Sequence, residues 1–357
     1  MSKFRLLIFF CLPFVFYING YADTGLIFRH LTRNEGLLHD NVTCIAQDSI
    51  GYIWFGTHRG LNRFDGYLID SYRYDNGKIN SVYYNRIYSI EIIDRFLWMA
   101  TEAGIACFDI RKKQYIDVVA KDSDSESFYL QVRTLKRGNG GLLWFFTDRD
   151  RIRLGEVSYD SVKNQCIITT RKIGNDTEYV SPDFYPKLAC DKSGNVWISG
   201  KDRLSCYSRG SDGELYFAGY SEQTSGHYIK EMRCDNSALW VAYWDKLIKY
   251  NVLNITTLEP VQTIPYSWRN VLTFYMNDNF VWLGSDLGIL QIDKKGNPPT
   301  PAEYRHSPLD ADSPGNDPDN IFLDRDNNLW VAAWGVGVSY ANTTPKLFRT
   351  INSKSFK

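Results

Sequence analysis

Seven tryptophans recur at near-constant spacing: Trp54, Trp98, Trp144, Trp197, Trp240, Trp282 and Trp330, separated by 44, 46, 53, 43, 42 and 48 residues. The fullest examples follow an Asp/Gly/Asn turn and open a short apolar run. Two are Asp48-Ser49-Ile50-Gly51-Tyr52-Ile53-Trp54-Phe55-Gly56-Thr57 and Asp191-Lys192-Ser193-Gly194-Asn195-Val196-Trp197-Ile198. A period of ~40–50 residues built from short strands marks the blades of a propeller. That period overrides the two or three domains a 357-residue chain would suggest at ~150 residues each.

Each unit reads as four strands. Strand A is an alternating run such as Val42–Gln47 or Ile87–Ile92. A tight turn follows, and strand B starts near the tryptophan. A Thr-x-x-Gly turn in the first two units leads to strand C (Leu61–Phe64, Ile105–Phe108), and strand D is rich in Tyr and Phe (Ser71–Tyr74). Such small sheets cannot bury both faces alone, whereas radial packing buries both. The tryptophans would fill the wedges between blades. The sequence therefore predicts an all-β fold, a seven-bladed β-propeller of four-stranded antiparallel blades. The last unit supplies only strands A to C (Asn320–Leu323, Trp330–Ala333, Val336–Tyr340), so the ring is expected to close with an N-terminal strand at residues 27–31 pairing with residues 336–340.

The domain reading is residues 1–22 as a signal peptide, 23–345 as the propeller and 346–357 as a tail. Lys3 and Arg5 precede the apolar stretch Leu6–Ile18, and Gly20 and Ala22 offer small residues for cleavage before Asp23. An uncleaved anchor is the alternative. The mature chain is expected in the periplasm, without membrane contact. A second segment patterned like strand D, Leu347–Asn352, follows Pro345 and resembles the first strand of a further domain. The six cysteines after the signal (Cys44, Cys107, Cys166, Cys190, Cys206, Cys234) form no zinc pattern and read as small buried hydrophobes, with disulfides left open.

A hydrophobic fraction of 44% supports a packed core. Equal counts of 41 basic and 41 acidic residues argue against a nucleic-acid binder driven by bulk charge. Asp324-x-Asp326-x-Asn328 echoes a calcium loop but lacks its later Gly and Glu, and a turn role is expected. The stretch Gly296–Pro318 holds six of the 12 prolines and reads as a rigid excursion around the outer strand of blade 6. The acidic run Asp122–Glu126 reads as a solvated loop. No metal and no cofactor are expected.

Gly36-Leu37-Leu38-His39-Asp40-Asn41-Val42, the run from Asp48 to Thr57, and Gly60-Leu61-Asn62-Arg63-Phe64-Asp65 together resemble the two-component regulator propeller repeat. The resemblance extends over about residues 26–352 and is most specific in blades 1, 4 and 7. It implies the N-terminal periplasmic sensor propeller of a hybrid two-component histidine kinase, a family that senses oligosaccharides released from glycans. A second propeller, a β-sandwich and a kinase would follow in that plan. None of the five histidines (His30, His39, His58, His227, His306) lies in a kinase pattern, so no kinase activity is expected of this chain. A truncated parent, a fragment and a stand-alone propeller remain alternatives. The implied partners are an oligosaccharide and a further propeller or β-sandwich domain, with a dimer as one arrangement, and no nucleic acid.

Propeller ligands are usually held at one face, by the D–A and B–C loops. The candidate ligand-binding residues there are His58, Arg59, Tyr84, Arg86, Tyr129, Arg149, Tyr185, Lys201, Tyr228, Trp244, Trp268, Arg269 and Trp334. Aromatic faces suit sugar C–H surfaces, and Arg suits carboxylate or sulfate groups. Loop packing is the competing reading for each. Three of the ten tryptophans (Trp244, Trp268, Trp334) fall outside the repeat position, all in these loops, and they single out this face. An exported lyase or hydrolase using His39, His58, Glu102, Asp150 or Asp245 is the alternative, as is an interaction scaffold. No catalytic residue is assigned.

Overall fold

The computed structural model describes residues 25–344 apart from 76, 78–80, 121–130, 148–151, 173–185, 200–202, 211–214, 223–228, 236–237, 253–257, 267, 269 and 297–300. The signal segment and the tail lie outside the described residues.

Among the described residues, alternating apolar runs broken by Asp, Asn and Gly turns give 28 strands. The N-terminal strand is β1 (Arg29–Leu31). Blade 1 holds β2 (Val42–Gln47), β3 (Ile53–Thr57), β4 (Gly60–Phe64) and β5 (Ile69–Tyr72). Blade 2 holds β6 (Ile87–Ile93), β7 (Phe96–Thr101), β8 (Gly104–Asp109) and β9 (Gln114–Ala120). Blade 3 holds β10 (Val132–Arg137), β11 (Leu142–Thr147), β12 (Ile152–Asp160) and β13 (Gln165–Lys172). Blade 4 holds β14 (Leu188–Cys190), β15 (Val196–Ser199), β16 (Arg203–Arg209) and β17 (Leu215–Glu222). Blade 5 holds β18 (Glu231–Cys234), β19 (Ala238–Ala242), β20 (Lys246–Asn251) and β21 (Glu259–Pro265). Blade 6 holds β22 (Val271–Met276), β23 (Phe280–Ser285), β24 (Gly288–Asp293) and β25 (Pro301–Arg305). Blade 7 holds β26 (Pro318–Leu323), β27 (Asn328–Ala333) and β28 (Gly337–Asn342), and takes β1 as its fourth strand.

Each unit pairs its four strands in antiparallel chain order, and the first strands neighbour one another in sequence from β2 to β26 and back to β2. The ring closes as expected: Arg29 pairs with Tyr340, His30 with Ser339 and Leu31 with Val338. Arg325, in the β26–β27 turn, joins blade 7 to blade 1 by donating from Nε to Gln47 Oε1 (3.1 Å) and from Nη1 to the Ser49 carbonyl (3.2 Å).

The seven tryptophans occupy seven separate apolar clusters, one per seam between blades. Trp54 packs with Ile87 and Ile90 of blade 2, Trp98 with Val132 and Leu135 of blade 3, and Trp330 with Val42 and Phe55 of blade 1. All seven are at most 3% exposed. Two of the fullest repeats also tie the tryptophan to its turn. Asp48 Oδ1 accepts from the backbone N–H of Ile50, Gly51 and Tyr52, while Oδ2 accepts from Trp54 Nε1 (2.8 Å). Asp324 repeats this, with Oδ1 toward the backbone of Asp326 and Asn328 and Oδ2 accepting from Trp330 Nε1 (2.8 Å). The Asp324–Asn328 segment is thus a turn that holds its tryptophan.

Two expectations change. Blades 2 and 3 are not separate sheets: their outer strands β9 and β13 pair in parallel, from Gln165 with Asp117 to Ile168 with Ala120, making one eight-stranded sheet. Both are outer edges with unpaired backbone groups, and pairing satisfies them. The proline-rich stretch is not an excursion around an outer strand but contains it. Pro301 opens β25 and Pro318 opens β26, positions where a missing N–H costs the ladder little.

Candidate functional site

Among the described residues, topology places the D–A loops and B–C turns at one end of the ring. The B–C turns of blades 1 and 2 are closed from within. Thr57 is fully buried, and its hydroxyl donates to the Gly60 carbonyl (2.8 Å) and accepts from the Arg59 N–H (3.1 Å). Thr101 does the same toward Gly104 and Ala103 (2.8 and 3.2 Å). Gly60 has φ +133°, and a Cβ there would lie 2.6 Å from the Tyr72 carbonyl oxygen. The Thr-x-x-Gly signature therefore fixes a tight turn whose two middle residues, His58 and Arg59 in blade 1, are displayed at this end. The His58 N–H also donates to the Asn41 carbonyl (3.2 Å), tying the turn to the neighbouring D–A loop.

Around His58 the structure gathers a mouth. The Trp334 ring meets the imidazole edge-on at 4.9 Å, His39 lies at 6.0 Å and Tyr88 at 6.3 Å. With its amide oxygen turned inward, Gln131 accepts from Tyr88 Oη (2.9 Å) and Arg133 Nη2 (3.2 Å). The Arg133 guanidinium also covers the Tyr88 ring at 4.9 Å. Arg86 Nη1 pairs with Glu102 Oε2 at 3.1 Å. Further round the same end, Lys230 Nζ lies 4.7 Å above the half-exposed Trp244 ring.

The tyrosine and arginine come from a shared backbone device. The ladder shifts register between Val42 and Cys44, Ile87 and Ser89, Val132 and Thr134, Val271 and Thr273, and Pro318 and Asn320. A bulge of this kind re-aims the extra residue. The residues at these steps are Thr43, Tyr88, Arg133, Leu272 and Asp319, each ten or eleven positions before its blade tryptophan. Sequence reasoning missed Tyr88, Gln131 and Arg133, and this offset was the available signal for Tyr88 and Arg133. Deeper in the inner strands, Lys136 Nζ approaches Glu91 Oε1 at 4.0 Å, and Lys187, Arg233 and Lys136 hold the Glu231 carboxyl below its ordinary range despite burial, which acts to raise it.

Charge follows from this enclosure. Burial pushes the His58 imidazole down to about 4, aided by Arg86, His39 and Arg133 and opposed by Glu102. His39 is also lowered, mainly by burial. Burial raises Asp319 to about 6, with Lys187 pulling the other way. Both histidines are neutral at neutral pH, where they offer one donor and one acceptor each. The unfolded chain protonates His58 near ~6.5, whereas the fold resists until about 4. Stability contributed at this site is unchanged above ~6.5 and falls as pH drops from ~6.5 toward 4. Urea midpoints at pH 7.5 and pH 5 should fall more for the wild type than for His58→Gln. Equal falls would show that His58 does not carry the effect.

The structure brings together His58, Arg59, Arg86 and Trp334 at this end, and displays Trp244 there. Tyr84 instead packs its ring at 4.8 Å from Tyr74, against the seam of blades 1 and 2. Trp268 is corrected: it is 2% exposed and wedged in the seam of blades 5 and 6, with the Arg305 guanidinium 5.3 Å from its ring. The indole packs there with Trp240, Ile264, Val271 and Phe274, which buries it away from the open end. Tyr129, Arg149, Tyr185, Lys201, Tyr228 and Arg269 lie outside the described residues.

Residues 36–59 match the family described as Two component regulator propeller. Blade 1 carries a two component regulator propeller repeat. A histidine kinase P4 of Formosa agariphila is 41% identical over 51 residues, which span 14% of this chain and 4% of that protein. The extracellular domain of a hybrid two component system from B. thetaiotaomicron superposes with TM-score 0.66 at 20% identity, over 92% of this chain and 44% of that one. A virginiamycin B lyase from Staphylococcus aureus superposes with TM-score 0.60 at 13% identity, over 89% and 99%. These two likenesses show that the chain shares their propeller fold. The chain spans less than half of the sensor domain it matches and a small part of the kinase. Among the described residues, no helix is long and apolar enough to cross a membrane.

Proposed function

We propose that residues 26–344 form an exported, ligand-sensing propeller that takes glycan-derived oligosaccharides at the His58–Trp334 mouth. The observation that carries this reading is the mouth itself: Trp334 stands edge-on to a neutral imidazole beside the Tyr88–Gln131–Arg133 group. An exposed indole suits the C–H face of a sugar, and the amide, imidazole and guanidinium groups suit its hydroxyls or acidic substituents. The regulator-propeller repeat in blade 1 supports a sensory role, and the extracellular sensor likeness supports a periplasmic location. In this reading the chain recognises without catalysis, and occupancy alters its contacts with a further propeller or β-sandwich domain, in a dimer or otherwise.

A second reading rests on His58 and His39, whose neutral imidazoles are the protonation state a general base needs. It makes the chain a lyase on the same scaffold. Calorimetry with panels of neutral and acidic oligosaccharides, followed by analysis for new chain ends, separates the two. Saturable binding with no new ends is expected. Trp334→Ala should then weaken binding by roughly tenfold or more, the scale of one stacked aromatic contact. New ends establish the lyase reading, and unchanged affinity in Trp334→Ala moves the site elsewhere.

A further inference from the structure

We propose that Cys107 and Cys166 form a disulfide that ties blade 2 to blade 3. Their sulfurs stand 3.2 Å apart. That is closer than the ~3.5–4.0 Å at which two carbon atoms rest in contact. Reaching the ~2.05 Å of a disulfide asks for only about 1 Å of side-chain movement.

The sheet aims both thiols at the same space. On β8, Cys107 pairs with Ile116 of β9; on β13, Cys166 pairs with Val118 of the same strand. Ile116 and Val118 are two residues apart, so they share one face of β9. Paired residues share a face across a ladder, so both cysteines project to that side. The parallel β9–β13 junction joins the two blades at their outer edge, and this face closes on itself as the seam between them. Both cysteines are fully buried there, among Ile105, Val132, Leu135 and Ile168.

The pair sits 59 residues apart in sequence. A link across it constrains the chain from strand C of blade 2 to strand D of blade 3. The parallel edge pairing that fuses these blades is unlike any other junction among the described residues.

The chemistry is thiol–disulfide exchange with an oxidising disulfide carrier of the exported compartment. The Cys107 thiolate attacks a carrier sulfur, displacing its partner sulfur as a thiolate. The Cys166 thiolate then attacks the Cys107 sulfur of the mixed disulfide and releases the carrier as a dithiol. Two protons leave the protein thiols, and two electrons end on the carrier. In the packed seam burial raises the Cys107 thiol well above its ordinary range. Exchange therefore belongs to folding, before the seam closes. The inference rests on export of the chain and is independent of any ligand at the His58–Trp334 mouth.

The test uses the full chain secreted into a bacterial periplasm. The protein is denatured with an alkylating agent and no reductant, digested and analysed by mass. The Cys107 and Cys166 peptides should be joined and separate on reduction, with Cys44, Cys190, Cys206 and Cys234 alkylated. Alkylation of both Cys107 and Cys166, or bonding of either to another cysteine, overturns the proposal. As a second readout, reduction under unfolding conditions followed by refolding should lower the thermal midpoint on the order of 5–10 °C. The same treatment of Cys107→Ala/Cys166→Ala should leave its midpoint in place. An unchanged wild-type midpoint after verified reduction would refute a tie between the blades.

Discussion

Asp48→Ala should destabilise the fold by about 3 kcal/mol, lowering the thermal midpoint by roughly 4–5 °C. The carboxylate is 2% exposed and accepts from three backbone N–H groups of its turn and from the Trp54 indole. Alanine removes a charged acceptor and leaves the indole N–H buried without a partner, which alone costs about 1–3 kcal/mol. Asp324→Ala should behave alike, since Trp330 depends on it in the same way. Trp98 supplies the control. Its β6–β7 turn is the short Asp94-Arg95 link, with no aspartate six residues before the tryptophan, and its Nε1 finds no hydrogen-bond partner. Trp98→Phe should therefore cost less than Trp54→Phe, which strands Asp48 Oδ2. A double-mutant cycle of Asp48→Ala with Trp54→Phe, read by urea denaturation, should show coupling of about 1 kcal/mol or more. Additive losses would mean that the carboxylate acts on the turn alone.

Gly337→Ala should be comparably damaging, on the order of 3 kcal/mol, because it strikes the closure of the ring. Gly337 has φ +80°, and a Cβ there would lie 2.2 Å from the Leu31 carbonyl oxygen. It opens β28, whose partner β1 contributes only three residues to the ladder. No flexible side-chain end can yield, since the obstruction is backbone. Displacing β1 also uncovers Val338 and the cluster around Trp330. Proteolysis near the N-terminus should accelerate in this variant while a change at a blade-internal exposed site, such as Val162→Ala, leaves it slow. Equal protection would show that β1 is dispensable to closure.

The tryptophan period was sufficient to read the blades, because one large side chain per unit is what a wedge between twisted sheets requires. The pattern Phe28-Arg29-His30-Leu31 likewise foretold the closing strand, since it resembles the other outer strands. The candidate site was read less well. His58, Arg86, Trp244 and Trp334 were legible as polar and aromatic residues in loops assigned to one end. Trp268 met the same criteria yet is buried, because whether a loop residue faces water depends on the seam its loop crosses. Tyr88 and Arg133 were hidden for the opposite reason. They belong to strands, and only a bulge in the ladder turns them out of the alternating pattern.

The sequence by itself determined the repeat, the strand order within each blade, the closing segment and the turns that hold the tryptophans. These depend on local backbone preferences and on a periodic apolar pattern, both written residue by residue. Tertiary structure alone decided which distant side chains meet: His58 with Trp334, Tyr88 with Gln131 and Arg133, Cys107 with Cys166. Those meetings depend on the angle between neighbouring sheets and on register shifts of one residue. Neither is a property of any segment alone, since each arises only when the seven blades pack against one another around a closed ring.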